Sequence, residues 1–92
     1  MPKFLIEVPH SSEIQVCKEA IHALLSSGSH YVTNAEWGCH DGEHKAWLIV
    51  DVDSKNEARA ILPPSFRSQA KIVQLNRFSI QEAEDMIRTN SA

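Results

Sequence analysis

Apolar and polar side chains alternate along residues 3–8, which predicts a first strand with one face more apolar than the other. From Ser12 to Leu25 the apolar positions recur at helical spacing instead, and Gly28 follows shortly after. A serine before such a pattern and a glycine after it are typical helix boundaries, so Ser12 is the predicted N-cap. The chain is therefore predicted to begin with a strand followed by a helix.

Two further strand-like stretches, residues 31–39 and 44–52, flank the pair Asp41-Gly42. An Asp-Gly pair between two such stretches is a strong signal for a hairpin with a two-residue turn. In that register Cys39 pairs with His44, and Trp37 pairs with Ala46. The middle of the chain is therefore predicted to be a β-hairpin.

A serine followed three residues later by a glutamate marks the next predicted helix. Ser54 and Glu57 form this capping pattern, and the helix that they begin ends at Pro63. Residues 65–69 are predicted to add one more helical turn. The second half of the chain therefore returns to helix after the hairpin.

The last part of the chain is predicted to contain a strand and a final helix. Residues 70–78 are predicted to form the fourth strand, and Ser79 with Glu82 repeats the capping pattern. The C-terminal helix is expected over residues 79–89.

This order of elements predicts an α+β fold, a ferredoxin-like βαββαβ sandwich with an added C-terminal helix. We expect a four-stranded antiparallel sheet of order 4-1-3-2, in a single domain over residues 1–92 with its core over 3–78. One sheet face is expected to lie under the two main helices. The other face carries apolar residues, which usually mark an interface and here predict a homodimer through the sheet face. These residues are Leu5, Trp47, Ile49, Val73 and Leu75.

Three segments carry a resemblance to a known family: the opening strand FLIEV, the strand KAWLIVDVDS that leads into a capped helix, and the final strand IVQLNRF. In topology and pattern they resemble the dimeric α/β-barrel superfamily of small domains, which includes muconolactone isomerases and monooxygenases of antibiotic biosynthesis. The resemblance covers about residues 3–78 and implies a homodimer. No catalytic motif of that family matches residue by residue, so the resemblance assigns no site residue, and such folds host unrelated functions.

The composition is that of an ordinary globular chain, with 42% hydrophobic and 23% charged residues among 92. The net charge of -3 and the pI near 5.9 argue against nucleic acid as the main partner, because phosphate binding requires a concentrated basic face. No apolar run approaches the roughly 18 residues of a membrane span. We therefore expect neither a nucleic-acid nor a membrane partner.

The first eight residues lack the basic region, long apolar run and small-residue cleavage site of a signal peptide. A cytoplasmic location is therefore expected. In that reducing compartment, Cys17 and Cys39 are more typical of thiols or metal ligands than of a structural disulfide.

Strand alternation is expected to place three potential metal ligands on one side of the sheet. Cys39 and His44, as cross-strand partners, would both face the helices, and the alternation of the first strand puts His10 on the same side. Two imidazoles and a thiolate suit zinc, nickel or copper, with a fourth position left for water or substrate. We therefore predict a metal site at His10, Cys39 and His44, with Asp41 and His40 as reserve ligands.

Two other functions fit the same pattern. A small-molecule enzyme, such as an isomerase or a cofactor-independent oxygenase, could use His44 or His10 as a general base, with Trp37 and Tyr31 lining the pocket. A non-catalytic interaction module would instead use the sheet face around Trp47. In the simplest interpretation, the histidines are satisfied polar groups at a strand end and the cysteine is a small buried apolar residue.

Overall fold

The computed structural model describes residues 1–27 and 29–89. Its strands are β1 (Lys3–Pro9), β2 (Glu36–Trp37), β3 (Lys45–Asp51) and β4 (Lys71–Leu75). Its α-helices are α1 (Ile14–Leu25), α2 (His30–Thr33), α3 (Lys55–Ala60), α4 (Pro64–Arg67) and α5 (Ile80–Arg88). A 3₁₀ turn, Cys39–Asp41, lies between β2 and β3. The fold is α+β, as the order of patterns predicts.

All three strand pairings in the sheet are antiparallel. The strand order is β2-β3-β1-β4, which is 4-1-3-2 when it is counted from the β4 edge. β1 is central and pairs along its whole length with β3, from Lys3 opposite Asp51 to Pro9 opposite Lys45. The end of β1 and the beginning of β3 therefore lie side by side.

One face of the sheet forms the core of the protein. Phe4, Ile6 and Val8 on β1 are almost completely buried, and so are the alternate residues of β3. Each fully buried aliphatic side chain of this kind contributes about 1.5–3 kcal/mol to folding. The helices cover this face with Leu24 and Ala58. The predicted inward side of both strands is confirmed.

The opposite face of the sheet is partly open to solvent in the part of the chain that the structure describes. Leu5 lies opposite both Ile49 and Val73, so these three side chains share that face, and Ile49 is 58% exposed. On the same face, Trp47 Nε1 donates a hydrogen bond to Glu7 Oε1 at 3.1 Å. The predicted apolar patch is therefore present on the open face.

The predicted strand over residues 31–39 is wrong. Its first part is the helix α2, and its strand portion is only Glu36–Trp37. The alternation misled because two apolar residues spaced three apart, Val32 and Ala35, both pack into the core. A spacing of three is that of a helical turn.

Local hydrogen bonds explain why α2 forms where a strand was predicted. Thr33 Oγ1 and Asn34 Nδ2 both donate to the carbonyl oxygen of His30 at 2.9 Å. Side chains of this type compete with strand pairing by bonding to the nearby backbone. The segment therefore closes into one helical turn before the chain reaches β2.

The start of α1 also differs from the prediction. Its N-cap is Glu13 rather than Ser12, and the amide of Glu13 donates to Ser11 Oγ at 3.1 Å. Gly28, predicted to follow the helix, lies outside the described residues. No helix among residues 1–27 and 29–89 is long and apolar enough to cross a membrane.

The two predicted capping patterns are confirmed. Ser54 Oγ accepts a hydrogen bond from the amide of Glu57 at 3.1 Å at the start of α3. Ser79 and Glu82 form a reciprocal capping box at the start of α5. Local sequence alone therefore fixed where these helices begin.

Most of the remaining element boundaries differ from the predicted ones by a few residues. The strand predicted over 44–52 is Lys45–Asp51, and the strand predicted over 70–78 is the shorter Lys71–Leu75. The turn predicted over 65–69 is Pro64–Arg67, with a proline in its first turn, where its missing amide is not needed.

Candidate metal centre

Four potential metal ligands converge where β1 ends and β3 begins. His10 follows β1 directly, His44 precedes β3, Cys17 lies near the start of α1, and Cys39 begins the 3₁₀ turn. One donor atom from each of these residues lies within 4.8 Å of each of the others. We call these four residues the Cys2His2 cluster.

The sheet holds the two histidines together through their backbones. The amide of His10 donates to the carbonyl oxygen of His44 at 3.0 Å, one position beyond the last strand pair, Pro9 with Lys45. The two imidazole rings meet edge to face with centroids 5.5 Å apart. The predicted convergence of His10 and His44 is therefore present in the structure.

The two sulfur atoms both lie close to one imidazole nitrogen. His10 Nε2 is 3.3 Å from Cys17 Sγ and 3.2 Å from Cys39 Sγ. In a tetrahedral zinc site with Zn–N of about 2.0 Å and Zn–S of about 2.3 Å, ligand atoms are about 3.3–3.8 Å apart. The cluster is therefore close to the dimensions of a tetrahedral site.

Cys17 is the member of the cluster that the predicted metal site lacks. Its place on the apolar face of α1 predicts a core residue, and it is indeed only 7% exposed. However, the short connection over residues 10–13 turns the helix back beside the end of β1, which brings Cys17 to His10. One signal in the sequence could have identified it: Cys17 lies near the start of a helix, and the strand before that helix is followed by a histidine.

The loop that carries Cys39 is a compact turn rather than the predicted two-residue hairpin. Trp37 pairs with Ala46 as predicted, but the strand ends there, and Cys39 is therefore not a strand residue paired with His44. The amides of Asp41 and Glu43 both donate to the carbonyl oxygen of Gly38 at 3.0 Å. The chain turns within residues 38–43 instead of only at Asp41-Gly42.

Two glycines make this turn possible, for different reasons. Gly42 ends the 3₁₀ turn with a φ of 82°, the left-handed conformation that glycine adopts without strain. Gly38 lies so close to its neighbours that an added Cβ would be 2.8 Å from the carbonyl oxygen of Glu43 and 2.9 Å from Trp47 Cζ3. The turn therefore packs against the start of β3, next to His44.

Burial sets the protonation of two members of the cluster. It lowers the pKa of His10, and the neighbouring His44 lowers it further. Burial also raises the pKa of the Cys39 thiol, and Cys17 raises it further through a hydrogen bond and its charge. Without a cation, His10 is therefore neutral and Cys39 is a thiol at neutral pH.

Both imidazoles of the cluster contain a buried nitrogen without a hydrogen-bond partner among the described residues, namely Nδ1 of His10 and Nδ1 of His44. Buried polar atoms in proteins are nearly always paired, and each unpaired one costs about 1–3 kcal/mol. The protein alone therefore does not satisfy the polar groups of the cluster.

The other predicted site residues lie at different distances from the cluster. The ring of Trp37 is 5.7 Å from that of His10. Tyr31 lies in α2, packs against the core and contacts the ring of His30 at 4.2 Å. His40 and Asp41, the reserve ligands, are exposed residues of the 3₁₀ turn and are not members of the cluster.

A pocket of about 350 Å³ opens onto the cluster between α1 and the 3₁₀ turn. Three ligand candidates line it: Cys17, Cys39 and His44. Its other walls are Ile14, Lys18 and Ile21 from α1, together with His40. The pocket therefore opens beside both cysteines of the cluster, of which Cys39 is the less buried.

Comparison of the chain with models of protein families, with curated proteins and with solved structures finds no match.

Proposed function

We propose that this protein binds one divalent transition-metal ion, foremost zinc, through His10, Cys17, Cys39 and His44. The observation that carries the proposal is the mutual distance of the four donor atoms, all within 4.8 Å. Two thiolates and two imidazoles are one of the standard ligand sets of tetrahedral zinc. The position of His10 Nε2, 3.3 Å from Cys17 Sγ and 3.2 Å from Cys39 Sγ, supports the same conclusion.

Zinc fits this ligand set better than nickel or copper(II). Zinc has no electronic preference that opposes a tetrahedron, whereas nickel(II) and copper(II) favour square-planar or tetragonal sites with nitrogen and oxygen ligands. Copper and nickel remain the competing ions, because the general affinity order places copper(II) above zinc. Competition between the metals is therefore part of the test.

The fourth protein ligand changes the role that we propose for the ion. The sequence predicts three ligands and an open position, but Cys17 supplies a fourth donor. Zinc sites with four protein ligands mainly hold the fold together, whereas catalytic sites keep a position open. An ion here would join β1, α1, the 3₁₀ turn and β3, which stabilises a domain of only 92 residues.

The test is metal analysis of protein purified without a polyhistidine tag, for the wild type, His44→Ala and His40→Ala. His40 lines the same pocket but is outside the cluster, so it is the matched control. We expect stoichiometric metal in the wild type and in His40→Ala, and its loss in His44→Ala. Wild-type protein that holds no metal, and gains no thermal stability from added zinc, nickel or copper, would contradict the proposal.

A small-molecule enzyme with His44 or His10 as the general base is the second candidate. The observation that favours it is the pocket lined by His44 and Cys39. An organic molecule retained by the metal-free protein and detected by mass spectrometry would support this function. Screening for a change in tryptophan fluorescence tests it further, because Trp37 lies next to His10.

We also propose that the fold is ferredoxin-like and that two copies pair through their open sheet faces in the cytoplasm. An exposed apolar residue on that face supports the pairing, since Ile49 is 58% exposed. The free thiols of Cys17 and Cys39 are consistent with a reducing compartment. Sedimentation at micromolar concentration tests the dimer, and Ile49→Lys should dissociate it, whereas a wild-type monomer would contradict it.

A further inference from the structure

The two sulfur atoms of the cluster are close enough to react with each other. Cys17 and Cys39 are both free thiols, and their Sγ atoms are within 4.8 Å. Both atoms contact the same atom, His10 Nε2, at 3.3 and 3.2 Å. The two thiols therefore lie next to each other, although one belongs to α1 and the other to the 3₁₀ turn.

We propose that Cys17 and Cys39 form a reversible disulfide, and that this disulfide and a bound metal ion exclude each other. The exclusion rests on the proposed metal site, whereas the disulfide itself does not. The oxidant class is a low-molecular-weight disulfide, which reaches Cys39 at the pocket that both cysteines line.

The burial of the two cysteines sets the order of the reaction. Cys39 is half-buried on the 3₁₀ turn, whereas Cys17 is only 7% exposed on α1. The thiol of Cys39 therefore loses its proton to solvent first, and the resulting thiolate attacks the small disulfide. A bond forms between Cys39 Sγ and one sulfur of the reagent, the reagent's own S–S bond breaks, and one small thiolate leaves.

Cys17 completes the exchange. Its thiolate attacks Cys39 Sγ, the internal disulfide forms, and the second small thiolate leaves. Two protein thiolates have then lost two electrons, and one small disulfide has gained them as two thiolates. The S–S bond of about 2.0 Å requires the sulfurs to move closer than they are, and rotation of the Cys39 side chain on its turn can supply this movement.

Metal and disulfide exclude each other because they use the same electrons. A metal ion binds a lone pair of each thiolate, and sulfur that is bonded to sulfur no longer carries the thiolate charge. The oxidised cluster keeps only His10 and His44 as ligands, which is half of the proposed set. Formation of the disulfide should therefore release the ion, and a bound ion should protect both thiols.

The experiment treats metal-free and zinc-loaded protein with oxidised glutathione. Free thiols are counted, the intact mass is measured, and released zinc is detected with a coloured chelator. We expect the loss of two thiols and two hydrogens per chain, no retained glutathione, and one zinc ion released per disulfide. A reducing agent should restore both thiols and zinc binding.

Two variants test the order of attack. Cys17→Ser should stop after the first step and accumulate glutathione on Cys39, while Cys39→Ser should react much more slowly because its remaining thiol is buried. Circular dichroism checks that each variant is folded. His40→Ala, which lines the pocket but contributes no sulfur, should react like the wild type.

The possible outcomes separate this inference from the proposed function. Wild-type protein that binds zinc but ends as a stable glutathione adduct, or as a dimer linked between chains, overturns the disulfide. A disulfide-containing protein that keeps its zinc overturns the exclusion. Protein that forms the internal disulfide but never binds metal contradicts the proposed function and leaves the disulfide standing.

Discussion

The backbone amide of His10 donates a 3.0 Å hydrogen bond to the carbonyl oxygen of His44. The two histidines of the cluster are therefore fixed by the pairing of β1 with β3, whether or not an ion is present. The two cysteines are held differently, since Cys17 lies on a helix and Cys39 on a short turn. We expect the two histidines to be rigid and the two cysteines to adjust their positions when an ion binds.

Zinc should stabilise the wild-type fold against unfolding. Because the ligands converge only in the folded chain, free zinc at about 100 times its dissociation constant should add about 2.7 kcal/mol to the free energy of unfolding. The measurement is chemical denaturation with and without zinc. In Cys17→Ala this gain should disappear, because one of four ligands is missing, while His40→Ala should keep it.

Acid should weaken the metal-free fold through His10. Its pKa is lowered in the folded protein by burial and by His44, so below the ordinary value of about 6.5 the unfolded chain binds more protons than the folded one. The contribution is fully present above that value and is lost as the pH falls through the folded pKa. Urea denaturation between neutral and mildly acidic pH measures it.

His10→Gln is the matched control for this acid effect, because it keeps a polar side chain without a titrating group. We expect a smaller loss of stability in the variant than in the wild type as the pH falls. Equal losses would mean that other groups cause the acid dependence.

Alkaline pH should weaken the metal-free fold and strengthen metal binding, both through Cys39. Burial raises the pKa of its thiol in the folded protein, so the stability that the neutral thiol contributes is present below its ordinary pKa and is lost as the pH rises through the folded value. A metal ion must displace this proton, so its apparent affinity should increase with pH.

Metal titrations at several pH values measure the second effect, with proton release followed in weakly buffered solution. We expect the protein to release protons when metal is added, and to release fewer of them as the pH approaches the pKa of Cys39. Binding that does not change with pH would exclude thiolate ligation by Cys39.

Substitution of Gly38 should damage the cluster without touching a ligand. In Gly38→Ala the new Cβ would lie 2.8 Å from the backbone oxygen of Glu43, and overpacking of this kind costs about 1–3 kcal/mol. The 3₁₀ turn must then move, and Cys39 moves with it. We expect both a lower unfolding free energy and weaker zinc binding.

Gly42→Asn is the comparison for this prediction. An added Cβ at Gly42 meets no atom within 4 Å, and asparagine tolerates the left-handed conformation that the φ of 82° requires. It should therefore cost less than Gly38→Ala in stability and in zinc affinity. A larger effect at Gly42 than at Gly38 would show that conformation, rather than close packing, limits the turn.

Local patterns predicted the parts of the fold that depend on neighbouring residues. The alternation of β1 and β3 gave their inward faces, and Ser54 and Ser79 marked the starts of two helices, because capping involves only residues three positions apart. The alternation before Trp37 failed, because side chains of Thr33 and Asn34 bond to His30 and close a helical turn.

Strand alternation predicted three of the four cluster residues, but it held only for the two histidines, since Cys39 reaches the cluster from the 3₁₀ turn. His10 and His44 depend on pairing between β1 and β3, which the apolar pattern specifies. Cys17 depends on how residues 10–13 turn α1 back onto the sheet, and no periodicity encodes that angle. Its burial was predictable, but its contact with His10 was not.

The hydrogen bond between His10 and His44 also bears on how the chain folds. These residues are far apart in sequence and meet only when two distant strands have found each other, a slow kind of contact to form. The four residues come from two segments, 10–17 and 39–44, so a zinc site with all four ligands cannot form in an early local step. Formation of the four-ligand site during refolding would therefore report the moment at which the central strand pairing is complete.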